Sequence, residues 1–162
     1  MTTRESAAVQ DFYPDDFAHC YGCGRLNEHG HHIKTRWDGE ETVTRFTPGP
    51  DHMAVPGFVY GGLLASLLDC HAMATAAADH ERRAGREIGV GPAPRYVTAM
   101  LRVDYLRPTP LGPELEIRGR VQATGARKVE VSAWVTVDGE ITVRATAVAV
   151  PLPESMGPRA GA

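Results

Sequence analysis

Two adjacent glycines and one acid carry the first chemical signal in the chain. Gly61 and Gly62 open an apolar run, Leu63, Leu64, Leu67 and Leu68, and Asp69 follows Gly62 by seven residues. If the run is a helix, the glycines leave its first N–H groups uncovered. Unsatisfied donors and the positive end of the helix dipole there favour an oxygen that is gaining negative charge. Seven residues make two helical turns, so Asp69 falls on the same face about 10 Å further along the axis. A carboxylate among leucines is costly to desolvate unless it has a partner or a task. Two readings stand side by side. In one, Asp69 acts as base or nucleophile on a group held against the glycine N–H donors. In the other it is a structural acid paired with an arginine or a backbone donor, and the glycines only permit close packing.

The remaining reactive side chains are sorted by their surroundings. His71 stands two residues beyond Asp69, which turns it about 200° away on a helix and excludes a dyad on one face. Cys70 lies in an apolar helix without an adjacent fixed positive charge, where thiols are usually inert. His52, in the loop before the helix, either approaches a substrate from the side opposite Asp69 or is an ordinary loop histidine. The pair Cys20-x-x-Cys23, with His19, His29, His31 and His32 around it, poses the question of zinc. A second Cys-x-x-Cys is missing and the histidine spacing fits no standard finger, so the loop is expected to be structural and free of metal.

Bulk properties narrow the classes. The chain has 162 residues, 43% hydrophobic and 23% charged, the size and composition of one globular domain. No apolar stretch approaches the roughly 20 residues needed to span a bilayer, and residues 1–11 lack the basic and apolar regions of a signal peptide. Three cysteines are too few, and odd in number, for a secreted disulfide framework. A cytoplasmic protein is expected. The net charge of -3 gives no general attraction to nucleic acid or anionic lipid, so neither is expected as a partner. Any anion must be held by a local basic patch, either Arg127 and Lys128 or Arg82, Arg83 and Arg86.

The elements that must position these groups show most plainly in the second half. Over residues 96–106, Val97, Ala99, Leu101, Val103 and Tyr105 alternate with Thr98, Met100, Arg102 and Asp104, which predicts a strand stopped by the proline-containing stretch 108–113. Alternation over 115–121 and 129–137 predicts two more strands joined near Gly125. It resumes at Ile141 after Asp138-Gly139, a dipeptide suited to a tight primed turn. A four-strand antiparallel meander is the expectation. Earlier, residues 33–37 and 42–47 predict a hairpin about Asp38-Gly39. Residues 62–80 form the long helical candidate, apolar nearly all round, so the sheet must bury it. Residues 1–18 are expected to be a partly ordered N-terminal arm, 19–151 the domain, and 152–162 a loose tail with no regular element. The order β-β-α-β-β-β-β matches the hot-dog fold, an α+β architecture in which an antiparallel sheet wraps one long central helix.

The segment Pro56-Gly57-Phe58-Val59-Tyr60-Gly61-Gly62, followed by Asp69, resembles the helix start of hot-dog acyl-CoA thioesterases of the phenylacetyl-CoA thioesterase type. That family carries Gly-x-x-His-Gly-Gly and an Asp seven residues later. The strand ending in Arg107-Pro108, Gly112, the Gly125-Ala126-Arg127-Lys128 turn, and the Cys-x-x-Cys-Gly loop with Asn27 and Gly30 extend the resemblance over residues 20–150. It implies hydrolysis of an acyl-CoA thioester without a cofactor. Asp69 would be the acid, with Gly61 and Gly62 as oxyanion donors. Tyr60 stands where the family has His, and it either supplies one hydroxyl donor or only packs. The resemblance further implies substrate contacts from His52, Ser66 and Thr98, and phosphate contacts from Arg127 and Lys128. It implies a homodimer or homotetramer with sites at the interface, residues 95–98 of one chain facing Asp69 of the other. A noncatalytic acyl-CoA-binding protein is the alternative. A dehydratase or hydratase, suggested by Asp51-His52 and Pro56-Gly57, fits less well, because its acid belongs early in the helix, where Leu63 and Leu64 stand.

Overall fold

The computed structural model describes residues 6–158. Two short strands, β1 (Arg36–Asp38) and β2 (Glu41–Phe46), precede the helix α1 (Gly61–Arg83). Four strands follow it: β3 (Tyr96–Tyr105), β4 (Leu115–Thr124), β5 (Val129–Val137) and β6 (Glu140–Pro151). All six join in one antiparallel sheet of order β1-β2-β4-β5-β6-β3, which curves around α1 in the hot-dog arrangement. Among the described residues no helix is long and apolar enough to cross a membrane.

The order corrects the expected meander. β4, β5 and β6 are consecutive neighbours, turning at Asp138 and Gly139, both with positive φ as a primed turn requires. β3, however, pairs with β6 at the far edge, and β4 pairs with β2. Period-two alternation tells which side chains face the core but not which strand lies alongside. The stretch between β3 and β4 contains Pro108, Pro110 and Pro113, which suits a crossing connection better than a hairpin turn.

Alanine faces alanine across the core. Ala72, Ala74, Ala76, Ala77 and Ala78 on α1 and Ala133, Ala145, Ala147 and Ala149 on the sheet are all buried, which lets the helix lie close. Larger side chains, Leu63, Leu64, Leu67 and Leu68 against Leu115, Ile117, Val131, Val135 and Val143, fill the space around them. One polar device crosses this interface. His71 is fully buried, its Nδ1 at 2.8 Å from Thr44 Oγ1 and its Nε2 at 3.1 Å from Thr42 Oγ1. Burial, reinforced by Arg118, holds its pKa down at about 3, so it is a neutral structural group. Two residues past Asp69, it is thus turned into the core and held there by Thr42 and Thr44.

A bulge between Thr98 and Met100 changes the faces of β3. Strict alternation sets Thr98 opposite Leu101 and Val103. The extra residue, Ala99, brings Thr98 to the helix side together with Leu101 and Val103.

Both ends are more tied down than expected. Val9 N donates to Thr35 O at 3.0 Å, Gln10 exchanges two hydrogen bonds with Thr35, and Tyr13 is buried. The tail forms one short 3-10 turn, Glu154–Met156, after Leu152 N bonds Arg95 O at 2.9 Å. Residues 1–5 and 159–162 lie outside the described residues.

Gly119 on β4 faces His71 closely enough that a Cβ would lie 2.9 Å from Nε2, an atom already fixed by Thr42. Gly119→Ala is therefore expected to lower unfolding free energy by about 1–3 kcal/mol, read from urea denaturation.

Candidate active site

The first turn of α1 presents two glycines in different directions. Gly61 faces β3, where Tyr105 donates its hydroxyl to the Gly61 carbonyl at 2.7 Å. Gly62 faces the preceding loop, and the Tyr60 ring lies across it: a Cβ there would sit 2.5 Å from the ring and 2.7 Å from its hydroxyl. Among the described residues the Gly61 and Gly62 N–H groups have no acceptor, as the start of a helix dictates. The absent side chain at Gly62 is what leaves its donor reachable. Tyr60 is 57% exposed, so its hydroxyl hangs over these donors without being locked.

A cavity of about 170 Å³ opens at this point, lined by Tyr21, His31, His52, Tyr60, Gly62, Leu63 and Ser66. Its rings pack on one another. His31 is 4.8 Å from Tyr21 and 5.3 Å from His52 between centroids, and Phe46 backs both histidines. Burial, then the neighbouring His52, lowers the pKa of His31. His52 Nδ1 accepts the Gly49 N–H at 2.9 Å, which leaves the proton of a neutral ring on Nε2. The loop is fixed to the helix start as well, since Tyr60 N donates to His52 O at 2.9 Å.

Ser66 continues the line one turn along, and Asp69 lies almost one turn beyond it. Thr98 Oγ1 donates to Asp69 Oδ1 within the same chain. The contact lies within one chain, and the bulge in β3 is what brings Thr98 to the helix side. Burial raises the Asp69 pKa, the Thr98 hydrogen bond opposes that rise, and Arg95 contributes a weaker lowering. Among the described residues no Lys, Arg or His makes an ion pair with Asp69.

Arg127 and Lys128 stand apart, exposed in the β4–β5 turn. Register places them at the same end of the sheet as Asp69. Val129 pairs with Ala149, and Ala149 with Thr98, so the turn begins two strands from Thr98, roughly 10 Å at the usual spacing. The rival basic group is occupied: Arg83 pairs with Asp79, Arg86 forks onto Glu81, and Arg82 stacks 3.3 Å over Trp37.

This arrangement belongs to a recognisable family. Residues 56–148, from the loop before α1 into β6, match the thioesterase superfamily. The chain belongs to the thioesterase superfamily. A solved thioesterase superfamily protein from Shewanella loihica is 40% identical, with a TM-score of 0.64 over 86% of this chain and 98% of that one. An acyl-coenzyme A thioesterase of Xenopus laevis is 34% identical over 112 residues, 68% of this chain and 45% of that one, so this chain spans less than half of that relative. The E. coli PaaI protein from the phenylacetic acid degradation operon, 15% identical with a TM-score of 0.61 over 76% of this chain and 81% of that one, shares the fold.

In this thioesterase-superfamily chain, helical spacing pointed to Gly62 and Asp69, and the family resemblance added Ser66 and Thr98. The sequence reading missed Tyr105 on Gly61, and Tyr21 and His31 in the cavity wall. It also missed a thiol cluster. Cys20, Cys23 and Cys70 have Sγ atoms within 4.8 Å of one another, and Cys70 directly follows Asp69. Hydrogen bonds from Cys23, from Cys70 and from backbone N–H groups lower the Cys20 pKa. The same Cys20 contact pushes Cys23 up to about 11 and raises Cys70.

Proposed function

We propose that this chain hydrolyses acyl-CoA thioesters, with Asp69 as the catalytic carboxylate and the Gly62 N–H as the oxyanion donor. The observation that carries this reading is the setting of Asp69. It is partly buried and oriented by a hydroxyl, and among the described residues its carboxylate has neither the arginine ion pair nor the backbone donor of the structural-acid reading. The acid lies two turns along the helix from a free N–H group that opens onto a cavity.

A thioester suits so small a set of groups because its carbonyl is electrophilic and its thiolate is a good leaving group. With the carbonyl oxygen at Gly62, Asp69 takes a proton from water as the water oxygen bonds to the carbonyl carbon. Negative charge grows on the carbonyl oxygen and is met by the N–H dipole, with the Tyr60 hydroxyl in reach as a second donor. Collapse of the adduct breaks the C–S bond. The coenzyme A thiolate leaves with the electron pair, and the proton held by Asp69 neutralises it or passes to solvent. Direct attack by Asp69 gives a mixed anhydride that water then opens, and uses the same groups.

The cavity favours a compact, flat acyl group. At about 170 Å³ it is close to the roughly 150 Å³ space known to accept a benzene ring, and its walls are aromatic and imidazole faces. An aromatic acyl group of phenylacetyl size fits it better than a long alkyl chain. β3 ends the sheet with Thr98, Ala99 and Met100 exposed beside Asp69, an edge suited to pairing with a second copy that would close the site. A homodimer, or a tetramer built from it, completes the proposal.

Thiol release across short, long and aromatic acyl-CoAs tests the reading: turnover is expected, with the highest kcat/KM for aromatic acyl groups. Tight binding of acyl-CoA with no thiol release would identify an acyl-CoA-binding protein instead. Replacing Arg127 and Lys128 together by Ala is expected to raise KM severalfold with kcat nearly unchanged, because phosphate contacts hold ground and transition states alike. An unchanged KM at low salt would remove the turn from the coenzyme A site.

A further inference from the structure

We propose that Cys20, Cys23 and Cys70 form a binding site for a soft divalent cation of the zinc type. The site ties the Cys20–Cys23 loop to the helix immediately beside Asp69. It stands independently of thioester hydrolysis, which uses none of the three thiols.

Three observations carry it. The first is convergence. The thiols come from two elements about fifty residues apart in sequence, yet all three sulfurs lie within 4.8 Å of one another and the Cys20 and Cys70 sulfurs are 3.6 Å apart. A tetrahedral thiolate site with Zn–S bonds of about 2.3 Å has S···S edges of about 3.8 Å, so metal entry needs only small movements. A disulfide would consume two of these sulfurs and leave the third unexplained. The approach also depends on Gly22, where a Cβ would sit 2.4 Å from Cys70 Sγ.

The second observation is an unanswered donor. Tyr13 is 2% exposed, close enough to Cys23 and Cys70 for their charge to act on it, and its hydroxyl has no hydrogen-bond partner. Arg95 lies over the Tyr13 ring, 4.7 Å from its centroid, and a guanidinium can only donate, so it gives the Tyr13 O–H no acceptor. A buried O–H without an acceptor is costly. Thiolate sulfur, or a solvent molecule at the fourth vertex of a metal, supplies that acceptor.

The third is charge. Arg95 acts electrostatically on all three cysteines and makes no ion pair among the described residues. Three thiolates, a divalent cation and one guanidinium sum to zero, which suits a half-buried site. The exchange is balanced: a divalent ion and three thiols give a tris-thiolate complex of net charge -1 and release three protons to solvent. No oxidation occurs.

The full chain, reduced and stripped with a chelator, should take up Co²⁺ anaerobically at one ion per chain. Uptake should produce thiolate charge-transfer absorption and the visible bands of a tetrahedral site. Zn²⁺ should displace the cobalt stoichiometrically. Cys20→Ser and Cys70→Ser should each abolish the charge-transfer signal. Should those variants fail to fold, Tyr13→Phe keeps every ligand and should weaken Co²⁺ affinity about 10-fold or more, in the range found for groups supporting metal ligands. Absence of a thiolate–cobalt spectrum in the reduced parent overturns the site. So does a spectrum unchanged by Tyr13→Phe and by the folded cysteine variants. A chain lighter by two hydrogens before reduction that takes up no cobalt afterwards would assign the cluster to disulfide chemistry, which also overturns it. Hydrolysis measured on the same preparations reports separately on the proposed activity.

Discussion

A 23-residue helix buried along nearly its whole length sets the terms for everything else in this molecule. Such a helix cannot stand in water, so six strands close around it, and alanines on both surfaces let it settle close to the sheet. Close packing then makes polar intrusions specific. His71 is accepted only because two threonines bond its ring nitrogens and Gly119 makes room for it. Besides its C-terminal turn at Arg82 and Arg83, the beginning of the helix and a line through Ser66 to Asp69 reach the surface. The proposed chemistry sits on that line, which the sheet leaves open.

What the sequence made legible follows the range over which each signal acts. Apolar alternation is local, so β4, β5 and β6 and their helix-facing residues could be read from it, and so could the turn at Asp138 and Gly139. Strand neighbours are not local. Nothing in the alternation of β3 states that it bonds β6 instead of β4. The parity of β3 misleads at one place, because a single bulged residue reverses the face of Thr98 and brings it to Asp69.

The site divides the same way. Gly62 and Asp69 follow from helical spacing, and Ser66 came only with the family resemblance. Tyr60 could be placed but not given a posture, and its ring crossing Gly62 is visible only in three dimensions. The thiol cluster is the extreme case. Cys20 and Cys23 announce themselves by spacing, but Cys70 reads as an inert core residue until the loop is laid on the helix. A Cys-x-x-Cys pair shows which thiols are near in sequence, whereas a metal site depends on which are near in space.

The orientation of Asp69 by a hydroxyl links this architecture to its chemistry. A guanidinium would hold the carboxylate firmly and weaken it as a base. Thr98 fixes one oxygen and, among the described residues, leaves the other without a protein partner. The most direct measurement is single-turnover thioester cleavage by Asp69→Asn, at enzyme concentrations where acyl-CoA is shown to be bound. Asn keeps the shape and can still meet Thr98, but it lacks the basic and nucleophilic oxygen. The expected result is unchanged binding with cleavage slowed roughly 10²-fold or more. A folded variant that binds acyl-CoA and cleaves it at close to the parent rate would contradict the account and return Asp69 to a structural role.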